Sequence, residues 1–175
     1  MHLYFIRHGE STSNYGEVVT GQQDVPLTEH GREQARQAGK DILAQGIKID
    51  HIICSPLERS ANTARLIAHE IGFVEAKIKV SELVIERSFG LLEGQPNGPN
   101  TKLTDDAIEK AGGELDDQVR ARAQLFIDSL RGIEGNVLVV SHTGFGRRLR
   151  AVAWGISTEE SSNFKNAELT DLGEI

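Results

Sequence analysis

Two histidines in this sequence lie just after short apolar runs, where a polar side chain is unexpected unless it has a function. Arg7 and His8 come after the run 3–6, and His142 comes just after the run 137–140. An imidazole can act as a nucleophile or carry a proton near neutral pH. At the end of a buried strand an unpaired charge would be costly, which favours a functional role for Arg7 and His8. His142 alone could equally be a satisfied core histidine.

Two further apolar runs are also followed by charged residues. Arg59 follows the run 51–54, and Glu86 and Arg87 follow the run 78–83. In open α/β sheets the ligand lies at the carboxyl ends of the strands, so all of these side chains are expected on one rim. Each alone would be an ordinary surface charge, and only their equivalent positions at the strand ends indicate a shared site. Forked cationic donors in one pocket indicate a small anionic ligand, with phosphate the obvious candidate.

The elements that must position these residues follow from periodicity. The four runs are short and rich in β-branched residues, which predicts strands buried on both faces. Ser55, Pro56 and Glu58 predict a helix start with an N-cap serine and a capping-box glutamate, and Gly72 predicts its end. Strands that alternate with helices predict one domain over 1–175, a three-layer α/β/α sandwich with a mostly parallel sheet. The segment 166–172 can add an edge strand. Helical stripes cover 27–42, 57–71, 115–130 and 146–154.

Composition narrows the classes of function. The 175 residues include 19 Lys and Arg against 26 Asp and Glu, a net charge of −7. Such a chain is a poor non-specific ligand for nucleic acid or anionic membranes. The opening apolar run is too short for a secretory signal, and the sequence has no membrane-spanning stretch, so a cytoplasmic location is expected. The single cysteine excludes an internal disulfide framework and a four-cysteine zinc site.

Spacing also separates the possible phosphate chemistries. Four residues lie between Cys54 and Arg59, whereas a cysteine-dependent phosphatase needs five. No nucleotide-binding P-loop is present, and no His-x-His or His-Glu-x-x-His spacing supports a metal centre. A histidine nucleophile without a metal or other cofactor remains. It would form a phosphoramidate, with cations around the phosphoryl oxygens and an acid for the departing alkoxide.

One segment interrupts the alternation of strands and helices. The stretch 94–100 is rich in Gly, Pro and Asn, which predicts a short lid insertion over about 94–113. It offers Lys102 and Lys110 but no adjacent arginine pair, and the spacing of Arg120 and Arg122 points them to different helix faces. A lid this short would admit water. The remaining histidines and the arginines of the last helix are expected at the surface or in local structural roles; they are His2, His30, His51, His69, Arg147, Arg148 and Arg150.

Taken together, the motifs resemble the histidine phosphatase superfamily, the phosphoglycerate-mutase-like enzymes. The similarity covers nearly the whole chain, and the motifs are specific in combination. The matching segments are Arg7-His8-Gly9-Glu10-Ser11 with Asn14, Thr20-Gly21, Leu27 to Ala35, Ser55 to Ala64, Glu86 to Gly90 with Leu92-Glu93-Gly94, and Val139 to His142.

The resemblance implies a role for each matching residue. His8 would be the phosphorylated nucleophile, Arg7, Arg59 and His142 would hold the phosphoryl oxygens, and Glu86 would donate the proton. Thr143 stands where the family usually has glycine. The substrate side would be lined by Asn14, Thr20, Gly21, Arg87 and Thr143.

Three functions remain open from the sequence. The first is a metal-independent phosphomonoesterase for small phosphorylated metabolites, and the short lid favours it. The second is a phosphoglycerate mutase, because the sequence around Glu86 and Arg87 resembles that of mutases. The third is an inactive phosphate sensor or scaffold, which the intact catalytic positions argue against. A homodimer is a further possibility.

Overall fold

A computed structural model describes residues 1–14, 18–97 and 103–175. The strands are β1 (His2–Arg7), β2 (His51–Cys54), β3 (Lys79–Val80), β4 (Asn136–Ser141) and β5 (Leu169–Glu174). They form one sheet in the order β3-β2-β4-β1-β5, in which β5 is antiparallel to β1 and the other pairs are parallel. Among the described residues, the helices are α1 (Glu29–Ala44), α2 (Glu58–Glu70), α3 (Asp105–Lys110), α4 (Asp116–Ser129) and α5 (Thr143–Trp154).

The sheet is covered on both faces, because successive residues of a strand point to opposite sides. Leu3 and Phe5 of β1 pack in a cluster with α4 and α5. Tyr4 and Ile6 pack in the opposite cluster with α1 and α2. The predicted three-layer α/β/α architecture with a mostly parallel sheet is therefore confirmed, and so is the edge strand near the end of the chain. No described helix combines the length and apolar character needed to cross a membrane.

The prediction that the run 78–83 forms a strand buried on both faces was wrong. Only Lys79 and Val80 of the run 78–83 form a strand, and Val80 is 61% exposed. This strand lies at the edge of the sheet and pairs on one side with β2. The chain then makes a short 3-10 turn at Glu82–Val84 that leads to Glu86.

The predicted capping of α2 was also wrong. The helix begins at Glu58, with Leu57 as its N-cap residue and no side-chain cap bond from that residue. The carboxylate of Asp24 accepts a hydrogen bond from the backbone N–H of Glu58 at 2.7 Å, so a distant loop supplies the cap. Ser55 is thereby available for another contact.

The arginines of α5 are not a solvated face. Arg148 and Arg150 are each only 7% exposed. Arg148 pairs with Asp116, and Arg150 donates to Ser161 and Ser162. The pair with Asp116 ties α5 to the start of α4, and the bonds of Arg150 fasten the loop after α5 onto the helix, which sequence periodicity cannot reveal.

The proposed lid is described only in part. Residues 94–97 have no regular element, and Pro96 forms an isolated bridge with Val18. The short helix α3 follows at Asp105–Lys110, where Lys110 pairs with Asp106 on an exposed surface. The expectations for residues 98–100 and for Lys102 lie outside the described residues.

Candidate active site

The carboxyl ends of β2, β4 and β1 meet at one edge of the sheet, because these three strands are neighbours. His8 follows β1, and its backbone N–H donates to the carbonyl of Ser141 at 2.9 Å, so the β1–β4 ladder continues to the site. A cavity of about 410 Å³ opens at this edge. The residues of the predicted site that line it are Arg7, His8, Asn14, Thr20, Gly21, Arg59, Glu86 and Thr143.

The ring of His8 is held in one orientation. It is 5% exposed, and its Nδ1–H donates to the carbonyl of Gly9 at 2.7 Å. That bond requires the proton to be on Nδ1, which leaves a lone pair on Nε2. Arg59 Nε donates to His8 Nε2 at 3.2 Å. The nitrogen that faces the cavity is therefore the unprotonated one.

Electrostatics keep His8 neutral. Burial lowers the pKa of its imidazole to about 3, and the positive charge of Arg59 acts in the same direction. The pKa of His142 also lies well below its ordinary value, again chiefly through burial, with Arg59 next. A buried site rich in positive charge disfavours a third cation. Both imidazoles are thus neutral across the physiological range.

His142 lies behind His8, with the ring centroids 5.1 Å apart. It is fully buried, and its Nε2 is hydrogen-bonded to the hydroxyl of Ser55 at 2.8 Å. Its Nδ1 has no hydrogen-bond partner among the described residues. A buried polar atom without a partner is costly unless a ligand satisfies it. Ser55 therefore orients His142, leaving one ring nitrogen for a bound group.

Two guanidinium groups flank the imidazoles. Arg59 donates to the carbonyls of Gly21 and Gln23 at 2.8 Å and 2.7 Å. Arg7 donates from Nη1 to the carbonyl of Phe164 at 3.1 Å, and its Nε is a second buried atom without a partner in the described residues. Burial lowers the pKa of both guanidinium groups, and the negative charge of Glu86 raises it. The site is positively charged and has an unused donor on Arg7.

Glu86 sits at the N-terminus of α5. Its Oε1 accepts from the backbone N–H groups of Arg87 and Phe145, both at 2.8 Å, and Oε2 accepts from Gly144 at 3.1 Å. The free N–H groups at the helix N-terminus hold both carboxyl oxygens there. The longest of the three bonds is made by Oε2, the oxygen most easily released to a ligand.

A loop that carries Thr20 and Gly21 forms one side of the cavity. Gly21 has φ of +49°, and a Cβ atom there would overlap the carboxylate of Glu93. Only glycine combines that backbone conformation with so close an approach. The carbonyl of Gly21 can then hold Arg59. Asn14 is held by its Oδ1, which accepts from the backbone N–H of Ser11 at 2.8 Å.

Arg87 does not line the cavity. Its Nε donates to the carbonyl of Glu114 at 2.7 Å, and its Nη2 pairs with Asp105 at 3.1 Å. Its contact with a substrate anion stays a prediction. The side chain instead ties the Glu86 segment to the start of α3.

Several residues that support the site were not singled out from the sequence. Thr63 accepts from the backbone N–H of Gly9 at 3.0 Å, and Arg122 donates to the carbonyl of Ile85 at 2.7 Å. Asn166 donates to the carbonyl of His8 at 2.8 Å. Thr63 lies one helical turn after Arg59, a spacing that could have indicated it. The other two are remote in sequence, and no local pattern marks them.

The donor set of the cavity suits an anion rather than a metal ion, because it is built from cationic and neutral nitrogen groups around one carboxylate. Within residues 1–14, 18–97 and 103–175, no group of three or more His, Cys, Asp or Glu side chains is arranged to hold a metal ion.

The fold and this cavity define a class of α/β proteins with a cationic, paired-histidine site at the carboxyl ends of a mostly parallel sheet. A family model described as "Histidine phosphatase superfamily (branch 1)" matches residues 3–174. The chain belongs to that superfamily, as its motifs indicated.

Relatives and solved structures agree with this assignment. A 2,3-bisphosphoglycerate-dependent phosphoglycerate mutase of Parvibaculum lavamentivorans is 38% identical over 112 residues, which are 64% of this chain and 50% of the relative. The chain thus aligns with half the length of that relative. A mutase of the same description from Mesorhizobium japonicum is 30% identical over 95% of this chain and 86% of its own. The structure of the α-ribazole phosphatase from Shigella flexneri is 26% identical, with a TM-score of 0.81 over 98% of this chain and 89% of the other.

Proposed function

We propose that the protein is a metal-independent phosphomonoesterase that hydrolyses small phosphorylated metabolites through a phosphohistidine on His8. The observation that carries this proposal is the tautomer of His8. Its Nδ1–H is held by the carbonyl of Gly9, so Nε2 carries the lone pair, which accepts from Arg59 Nε and is freed for attack when Arg59 turns to a phosphoryl oxygen. A neutral imidazole in that state can attack phosphorus without first losing a proton.

The unpartnered atoms support a site for the phosphoryl group. Arg7 Nε, His142 Nδ1 and Thr143 Oγ1 are buried and have no hydrogen-bond partner among the described residues. Arg7 is paired in register with Ser141, so the three residues lie at adjacent strand ends. Together with Arg59 they can donate to the equatorial oxygens, on which charge is spread during phosphoryl transfer. His142 would do so as a neutral donor.

The proposed reaction has two steps. His8 Nε2 forms a bond to phosphorus while the bond to the ester oxygen breaks, and Glu86 in its protonated form gives a proton to the departing alkoxide. Water then attacks phosphorus, Glu86 takes a proton from that water, and phosphate leaves as His8 regains its lone pair. Release of Glu86 Oε2 from the 3.1 Å bond with Gly144 would let it reach the ester oxygen.

The alternative is mutase activity, the activity for which the two bacterial relatives above are named. A mutase must retain a carboxylated substrate after the first transfer and exclude water. Of the described residues that line the cavity, the cations are Arg7 and Arg59, which both lie beside His8. The outer wall includes Val18, Phe89 and Leu103. This distribution favours hydrolysis over retention of an anionic alcohol.

The test measures hydrolysis of p-nitrophenyl phosphate by the wild type and by His8→Ala, in EDTA. We expect activity to survive EDTA and the variant to lose at least about 10³-fold. His30→Ala, which changes an exposed histidine on α1, is the matched control and should retain activity. Rapid quench should also trap an acid-labile phosphohistidine in the wild type only. Activity that chelation removes and Mg²⁺ restores would refute the proposal, and absence of phosphoenzyme would favour a sensor or scaffold.

A second assay separates phosphatase from mutase. With 3-phosphoglycerate and catalytic 2,3-bisphosphoglycerate, release of phosphate should exceed formation of the 2-phospho isomer. Isomerisation that is faster than release would identify a mutase. Lys102→Ala is also tested, because Lys102 is a cation of the predicted lid insertion. Loss of isomerisation in that variant would identify Lys102 as the group that binds the substrate carboxylate.

A further inference from the structure

The segment 164–167 crosses the end of β1, far from the catalytic motifs in sequence. The side chain of Asn166 donates from Nδ2 to the carbonyl of His8 at 2.8 Å. The backbone N–H of Ala167 donates to the carbonyl of Arg7 at 2.8 Å, and Asn166 forms an isolated bridge with Arg7. The carbonyl of Phe164 accepts from Arg7 Nη1 at 3.1 Å. This short segment therefore contacts both Arg7 and His8.

The segment is itself firmly held. The ring of Phe164 is 4% exposed and lies 4.5 Å from the ring of Phe5, measured between centroids. The guanidinium of Arg150 stacks on Phe164 at 4.3 Å from its centroid, and it also donates to the Ser161 hydroxyl at 3.0 Å. Arg150 is nearly buried, so these contacts are made where water does not weaken them. The position of the Phe164 carbonyl is thus fixed by packing from α5 and β1.

Backbone strain occurs at the same place. Ala167 has φ of +52°, and it is the one non-glycine residue with positive φ in the described part of the chain. An alanine in this region costs about 1 kcal/mol or more relative to glycine, and such strain persists only where the surroundings impose it. Here the surroundings are the two bonds to the Arg7–His8 backbone. The strained turn directs Asn166 towards His8 while the chain reverses into β5.

From these contacts we infer that Asn166 is a positioning residue that fixes the backbone of Arg7 and His8, so that His8 Nε2 and the Arg7 guanidinium face one phosphoryl group. The inference rests on the proposed function, because it assigns a purpose to the placement of these two side chains. Asn166 touches no reacting atom and acts through the His8 carbonyl. Gly9, whose carbonyl sets the His8 tautomer, is the next residue along that backbone.

The experiment compares Asn166→Ala with Trp154→Phe. The indole N–H of Trp154 donates to the carbonyl of Leu172 at 2.9 Å, so its loss also loosens β5 but touches neither Arg7 nor His8. At a temperature where circular dichroism shows both variants folded, kcat/KM for p-nitrophenyl phosphate should fall by about 10–100-fold in Asn166→Ala, mainly in kcat. In Trp154→Phe it should stay within about twofold. Equal effects of the two substitutions would overturn the inference.

A second readout does not depend on turnover. With ¹⁵N-histidine labelling, the wild type should show His8 as the tautomer protonated on Nδ1, and Asn166→Ala should show exchange with the other tautomer. An unchanged His8 signal in Asn166→Ala would overturn the inference, even if the variant lost activity. If the wild type lacks phosphatase activity, the proposed function fails, while this comparison still decides the role of Asn166.

If Asn166→Ala does not fold, Asn166→Asp replaces it. The ionised carboxylate cannot donate to the His8 carbonyl, whereas the protonated acid can. Activity relative to the wild type should therefore rise as the pH is lowered from 7 towards 5. A ratio that stays constant over this range would overturn the donor role.

Discussion

The inner end and the outer wall of the cavity are built in different ways. At the inner end His8 and His142 are at most 5% exposed, and each is fixed by a hydrogen bond to Gly9 or Ser55. The outer wall of Val18, Phe89 and Leu103 also carries the exposed side chains of Asn14 and Asn97, on segments with little regular structure. A fixed inner end suits one reaction on one group, the phosphoryl. The loops of the outer wall suit discrimination between leaving groups, because loop residues can change without disturbing the core.

Glu86 lies between these two regions. Among the predictions below, its substitution should cause the largest loss of kcat/KM, and the size of that loss should depend on the leaving group of the substrate. In Glu86→Gln, kcat/KM for an alkyl phosphate such as glycerol phosphate should fall by about 10²–10⁴-fold, because the alkoxide then leaves without a proton. With p-nitrophenyl phosphate the loss should be far smaller, since nitrophenolate is a stable leaving group. Steady-state kinetics on both esters measure the difference.

Glu82→Gln is the control for that experiment. Glu82 is an exposed carboxylate four residues before Glu86 and should tolerate the change. Equal losses on both esters in Glu86→Gln would mean that Glu86 serves only to hold the N-terminus of α5. The proton donor would then have to be another group.

The contrast between the two regions also explains which parts of the site could be predicted from the sequence. The residue types at the ends of β1, β2 and β4 are unusual enough that Arg7, Arg59 and His142 could be placed together from the amino-acid pattern alone. Periodicity likewise predicted the layers, because a buried parallel sheet forces continuous apolar runs. It could not show that β3 is a two-residue edge strand, since burial depends on what lies beyond the strand.

Long-range contacts could not be predicted from the sequence for a different reason. Asn166 meets His8 across 158 positions, and Asp24 caps α2 across 34. Neither residue differs in type or spacing from an ordinary loop residue. Arg87 illustrates the converse, because its motif suggested a substrate contact while Asp105 and Glu114 supply closer partners. Sequence patterns report local preference, and these contacts are decided by the fold.

The buried inner end predicts a specific acid sensitivity. The folded-state pKa of His8 is depressed to about 3, whereas the unfolded chain has an ordinary histidine near 6.5. Below about pH 6.5 the unfolded state therefore binds a proton that the native state does not, and stability falls with falling pH. Between pH 7 and 5 this contribution is about 2 kcal/mol.

Urea unfolding at the two pH values measures it. The free energy of unfolding of the wild type should fall by about 2 kcal/mol more than that of His8→Gln over this interval. Glutamine does not titrate, so the difference isolates His8 from His142 and from the carboxylates. Identical pH dependence in the two proteins would mean that His8 titrates in the native state with the ordinary pKa of the unfolded chain, which would overturn the claim that burial keeps it neutral at pH 5.

A smaller effect than that of Glu86→Gln on an alkyl phosphate is expected at Thr143, where the two regions meet. Its Oγ1 is buried and has no partner in the described residues, and it lines the cavity beside Glu86. If it donates to a phosphoryl oxygen, Thr143→Val removes one hydrogen bond to a charged group without changing shape. That loss corresponds to about 1.5–3 kcal/mol, so kcat/KM for p-nitrophenyl phosphate should fall by roughly 10–100-fold. Thr143→Ser keeps the hydroxyl and should stay within about threefold of the wild type. Should Thr143→Val match the wild type while Thr143→Ser does not, the methyl group rather than the hydroxyl would be what the cavity uses, and Thr143 would belong to the outer wall.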